Sequence, residues 1–141
     1  MTRRALLCIA TCIVAVAPPP WVLRAHISDL SIYVDQNRVD RTHPDTVGLW
    51  IRWVYDSATH AAGPNTPLVK RIEVHSLVRC ADRRVRPLSV DVYDPAGAPL
   101  AHHEFSATDS LRPVFNQMVH NAVPAICPWL RDPSAPVISA P

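Results

Sequence analysis

Only three glycines occur in 141 residues. A loop that cradles phosphate needs several, so that backbone N–H groups can converge on the anion, and that class of site is excluded. No Gly-x-Ser-x-Gly segment is present either, which removes the strained strand-to-helix turn that presents a hydrolase serine. Lysine is almost missing: thirteen of the fourteen basic residues are arginine, and Lys70 is the exception. The charged fraction is a low 18%. The longest uncharged apolar run, Ala5 to Ala17, has thirteen residues, short of the ~20 that span a bilayer as a helix. What is plentiful is proline: fifteen residues, gathered at the chain ends and between apolar runs, where the missing backbone donor does least harm.

Arg3 and Arg4 followed by the run Ala5–Ala17 have the shape of an export signal, a positive n-region before a short apolar core. Ala15-Val16-Ala17 offers the small residues a signal peptidase takes, but Pro18 puts a prolyl nitrogen at that scissile bond. Cleavage is therefore placed after Ala25, and residues 1–25 are read as a signal peptide. Lipoprotein processing at Cys12 is opposed by Thr11, which stands where Gly, Ala or Ser is expected. Loss of Arg3, Arg4 and Arg24 leaves 11 basic residues from 14, against 12 acidic residues that all lie downstream. A nearly neutral domain lacks the basic footprint of a nucleic-acid partner, and the mature form carries no transmembrane span. Cys80 and Cys127 are then the two cysteines left. In an exported chain such a pair reads as one disulfide, stabilising by about 4 kcal/mol in the chain-entropy model.

Downstream, apolar residues alternate with a period near two. Ile27–Asp35 sets Leu30, Ile32 and Val34 on one face. Thr46–Asp56 sets Val47, Leu49, Ile51, Trp53 and Tyr55 on one side and Trp50 and Arg52 on the other. Leu68–Cys80 places Ile72, Val74, Ser76, Val78 and the Cys80 thiol together, opposite Arg71, Glu73, His75 and Arg79. Val85–Asp94 alternates again, and Asp94-Pro95-Ala96-Gly97 turns the chain into a short strand over Ala98–Phe105. A helix is expected from Asp109 or Ser110, with Pro113 in its first turn and Phe115, Met118, Ala122 and Ile126 as its buried stripe. Pro124 should end or kink it near Ala122. The expected architecture is α+β: an antiparallel meander of about five strands with one C-terminal helix on a face, held by one disulfide. This domain occupies residues 26–130, and residues 131–141 form a Pro-rich tail.

Chemistry is sparse. His102 and His103 are adjacent, and neighbours on a strand point to opposite faces, so no metal or cofactor is implied. Cys80 and Cys127 are spoken for as a bonded pair rather than as nucleophiles, and no catalytic set remains: the chain reads as non-enzymatic. Lys70, Arg71, Arg79, Arg83, Arg84 and Arg86 are the densest charge, read as crowding one end of the sheet. Guanidinium forks pair bidentately with carboxylates and sulfates, and Trp50, facing away from its strand's apolar side, is a candidate contact residue beside them.

Trp50–Tyr55 (WIRWVY), Cys80-Ala81-Asp82-Arg83-Arg84-Val85-Arg86, Val92-Tyr93-Asp94-Pro95-Ala96-Gly97 and the late Cys127 together resemble the surface-adhesin protein E family, over roughly residues 28 to 130. Members are small exported domains of Gram-negative bacteria, some of which sit at the outer membrane and bind host matrix proteins. The resemblance implies an antiparallel sheet with a C-terminal helix and one disulfide. It also implies an envelope protein of the periplasm or outer-membrane surface, whose partner is a host matrix protein or another envelope protein. The alternative function is a periplasmic carrier of a small ligand or metal through His75, His102 or His103.

Overall fold

The computed structural model describes residues 20–60, 63–108, 112–113 and 117–140. Six strands follow one another as antiparallel neighbours: β1 (Trp21–Ile27), β2 (Leu30–Asp35), β3 (Val47–His60), β4 (Leu68–Arg79), β5 (Arg84–Tyr93) and β6 (Pro99–Glu104). A two-residue strand, β7 (Arg112–Pro113), lies beside the start of β5. Helix α1 (Gln117–Arg131) follows, and β8 (Ile138–Ala140) closes the order β6-β5-β4-β3-β2-β1-β8.

The sheet is therefore mixed, with seven strands on its main path, and the expected five-stranded antiparallel meander is corrected. β1 was missed because its sequence had been assigned to the export signal. β8 was missed because three residues among prolines carry no periodicity. It pairs parallel to β1 through Ala25↔Ile138 to Ile27↔Ala140. The segment 1–25 divides: residues 1–19 lie outside the described residues, whereas Trp21–Ala25 make up most of β1, and Ala25 is 0% exposed.

The period-two pattern becomes a two-sided sheet. Ile32 pairs with Trp53 and Trp53 with Ile72; Val34 pairs with Ile51 and Ile51 with Val74. Each pleat thus sends one row of apolar side chains to a single face. Those rows meet Ala122, Val123, Ile126, Cys127, Trp129 and Leu130 of α1 in one buried cluster. Proline is absorbed where the ladder is irregular: the β4–β5 register shifts between His75 and Ser76, and Pro87 stands opposite Ser76 at that shift. Gly97, at φ 85°, supplies the left-handed residue of the β5–β6 turn, and its N–H donates to the Asp94 carbonyl at 3.1 Å.

The helix also departs from expectation. It starts at Gln117 and runs through Pro124 and Pro128 to Arg131, while Pro113 belongs to β7. The two prolines are four residues apart and both exposed, so they share the solvent face, where carbonyls left without an N–H partner are hydrated. The buried side is set by Ala122, Val123, Ile126 and Leu130. Asp109, Ser110 and Phe115 of the expected helix, and the side chain of Met118, lie outside the described residues. Cys127 reaches Cys80 across a Cα–Cα distance of 5.7 Å with an S–S bond of 2.05 Å, tying the last turns of α1 to the end of β4. Among the described residues no helix is long and apolar enough to cross a membrane.

Candidate functional site

The pleat that sends aliphatic residues under α1 sends a different set to the opposite, uncovered face. In one row across the sheet, Tyr33 pairs with Arg52, Arg52 with Glu73, Glu73 with Asp91 and Asp91 with His102. Glu73, 8% exposed, is the centre of that row. Arg52 Nη2 lies 2.7 Å and Arg71 Nε 3.1 Å from its Oε1. The Arg52 guanidinium also lies 3.7 Å from the centre of the Trp21 ring, and Arg71 lies 4.0 Å from that of Tyr93. Burial lowers the pKa of Arg52, with the Glu73 charge opposing that shift.

A second stack stands beside the first. Trp50 and His75 are parallel rings 5.0 Å apart, and Arg38 covers the Trp50 ring at 4.6 Å. Asp35, 3% exposed, holds Arg38 through a 2.6 Å contact to Nε and accepts from the Asn37 backbone N–H. Desolvation, then the nearby Arg38 charge, lowers the His75 pKa below its ordinary 6.5. Planar cations on aromatic faces attract by about 0.5–2 kcal/mol each. The face is therefore an interlocked array of arginine, tryptophan, tyrosine and carboxylate, with its side chains already fixed.

The expected arginine cluster separates into two places. Lys70 and Arg71 open β4 and Arg79 closes it, nine residues and roughly 30 Å away at strand rise. Lys70 Nζ donates to the Asp56 carbonyl at 2.7 Å. At the other end, Arg79 grips Asp82 with both Nε (2.8 Å) and Nη2 (2.6 Å), and Arg84 Nε adds a contact of 3.0 Å to the same carboxylate. The Arg79 hydrogen bonds hold Asp82 below the usual carboxylate range. Arg86 donates to the Ala107 carbonyl. Arg83 sits at the tip of the turn with φ 55°. Behind that turn, two open grooves of about 570 and 300 Å³ flank the disulfide, both lined by Cys80, Ala81, Cys127 and Arg131.

The histidines do not converge. His75 is stacked on Trp50, His102 Nδ1 lies 2.6 Å from Asp91 Oδ1, and His103 meets the Phe105 ring edge-on at 4.8 Å. Among the described residues no three His, Cys, Asp or Glu side chains are placed to hold a metal ion.

The sequence model of surface-adhesin protein E matches residues 21–127, about three quarters of the chain. The chain belongs to the surface-adhesin protein E family. No curated protein matches it. Among solved structures it is similar to protein E from non-typeable Haemophilus influenzae at 16% identity, covering 87% of this chain and 89% of that one with a TM-score of 0.47. The selenomethionine form of Haemophilus influenzae protein E aligns at 17% identity over 80% of this chain and 93% of its own, again with a TM-score of 0.47.

Within this member of the family, WIRWVY lies on β3 and alternates between the two faces: Ile51 and Trp53 enter the core, and Trp50 and Arg52 join the open array. CADRRVR forms the tight turn from β4 to β5. Sequence reasoning picked out Trp50 and Arg71 from the array but missed Trp21, Arg38, Arg52 and Tyr93. Arg52 and Tyr93 could have been found by continuing the alternation that marked Trp50. Trp21 and Arg38 carried no such signal, one being assigned to the export segment and the other to a turn.

Proposed function

We propose that this family member is an exported, non-enzymatic adhesin-type envelope protein that holds a protein partner against the open face of its sheet. The partner is a host matrix protein or another envelope component. The single observation that carries the reading is the preassembled array Trp21/Arg52, Arg38/Trp50/His75 and Arg71/Tyr93 on a face that α1 leaves uncovered. Tryptophan, tyrosine and arginine dominate binding energy at protein interfaces. Side chains already locked in place lose little entropy when a partner arrives. Arg79, Arg84 and Arg86 at the β4–β5 turn, held by Asp82 and the Ala107 carbonyl, form a polar rim rather than the centre.

Export is supported by Arg3, Arg4 and the apolar run Ala5–Ala17, together with the oxidised Cys80–Cys127 pair. In this reading the mature chain begins before Pro20, because a cut after Ala25 would remove Trp21 from the array and Ala25 from the core. Protease treatment of intact cells, which degrades a surface-exposed protein and spares a periplasmic one, separates the two locations. The binding test is a solid-phase assay against immobilised laminin and vitronectin. Saturable binding by the native chain, weakened about tenfold or more by Trp50→Ala with Arg38→Ala, is the expected result. No binding at micromolar protein, or binding indifferent to both substitutions, overturns the open-face reading.

A further inference from the structure

The two grooves beside the disulfide lie on the opposite side of the sheet from the open array, and their lining is cationic. Arg83 and Arg131 line the larger groove; Arg41, Arg79 and Arg131 line the smaller, with Asp45 as its acidic member. Arg79 is neutralised by Asp82. The other three are not paired with carboxylates among the described residues. Arg41 Nη2 donates to the Leu130 carbonyl at 2.9 Å, and Arg131 Nε approaches the Cys127 carbonyl at 3.4 Å. Those carbonyls belong to the last turn of α1, where the helix dipole contributes about half a negative charge. Half a charge and Asp45 do not cancel three guanidinium groups, so the seam carries net positive charge. The apolar walls open to solvent are Pro44, Val47, Pro124 and Pro128, and no aromatic ring lines the seam among the described residues.

Arg83 adds a second observation. Its φ of 55° is left-handed, a conformation that costs a residue with a Cβ roughly 1 kcal/mol and that glycine adopts freely. A turn that needs only to reverse the chain is better served by glycine, and what arginine adds there is a cation at the mouth of the larger groove.

We infer that the seam over the Cys80–Cys127 bridge is a binding site for an acidic peptide segment, its carboxylates taken by Arg83, Arg131 and Arg41 and its aliphatic side chains resting on the valine and proline walls. A sulfated glycan shares the charge but has no aliphatic side chains to set against the valine and proline walls. Guanidinium groups held by carbonyls keep donors free for a bidentate contact with carboxylate.

The test uses the oxidised chain and three probes: a fluorescent capped peptide alternating glutamate with valine and leucine, its glutamine counterpart, and a heparin-derived tetrasaccharide. The acidic peptide binds, weakens as salt rises from about 0.05 to about 0.5 M, and shifts backbone amide signals of residues 80–84 and 123–131. Arg83→Gly, which suits the backbone of that turn, and Arg131→Gln each weaken it about tenfold while leaving binding through the open face unchanged. Amide shifts on the native chain report the site even if a variant folds poorly. Equal binding of the glutamine peptide, tighter binding of the tetrasaccharide, shifts confined to the open face, or indifference to both substitutions overturns the assignment.

Discussion

The two faces of this sheet are made from the same strands, one residue apart, and they are held by different physics. The covered face is a layer of Ile32, Val34, Leu49, Ile51, Trp53 and Val78 under α1, all with at most 2% exposure. Its stabilisation comes from removing apolar area from water, about 25 cal/mol per Å², and from a covalent tie. The open face is held by Arg52 and Arg71 converging on Glu73 and by rings stacked on cations. Each such contact is worth little beside water. Stability should thus reside on the covered side and recognition by the aromatic array on the open one, and that division can be broken experimentally.

The largest effect is expected from the edge that serves both faces. A chain beginning at His26 loses Trp21 from the open array and Arg24 and Ala25 from the buried side. It should show no cooperative thermal transition by circular dichroism, where a chain beginning at Pro18 does. On the covered side, replacing Cys80 and Cys127 together by serine should cost about 4 kcal/mol in denaturant unfolding. Trp53→Ala should cost a comparable 3–5 kcal/mol, as for other buried tryptophans. Neither change should alter binding of the partner at the open face at temperatures where the variant remains folded.

On the open side, Glu73→Gln should cost about 2 kcal/mol, because Arg52 and Arg71 lose their shared charge while half-buried. A loss as large as that of Trp53→Ala would refute the division of labour. Smaller still is the Arg38–Trp50 pair, whose double-mutant cycle should give a coupling of about 1 kcal/mol. His75 sets the finest test. Its folded pKa is depressed from 6.5, so below that pH the unfolded chain binds more protons and stability falls as pH is lowered from 7 toward 5. His75→Gln should flatten that part of the melting-temperature profile, and an unchanged slope would remove His75 as its source.

Alternation in β3, β4 and β5 was legible because each strand is long enough to repeat its period and has one face in water. The pairing of Cys80 with Cys127 was legible because no other cysteine lies downstream of the export segment. Strand β8 was not, since its three residues are selected by the edge of β1 rather than by their own pattern. The passage of α1 through Pro124 and Pro128 was also hidden: proline breaks helices in general, yet here both rings fall on the hydrated side of a helix anchored by Ile126, Cys127 and Leu130. Of the candidate arginines, their number was evident, but their partners were not. Asp82 takes Arg79 and Arg84, while Arg41, far away in sequence, joins Arg131 at the disulfide.

By itself the sequence determined which residues alternate, where the turns after β4 and β5 fall and that two cysteines would be available, because these depend on neighbours two to four positions apart; the turn at Ser28-Asp29, inside what reads as one strand, it did not show. Only the tertiary structure decided that Trp21 belongs to the sheet, that the sheet is mixed, and that the arginines divide between an aromatic array and a seam over the bridge. Those outcomes depend on which distant segment fills an edge or neutralises a charge, and local periodicity carries no information about that.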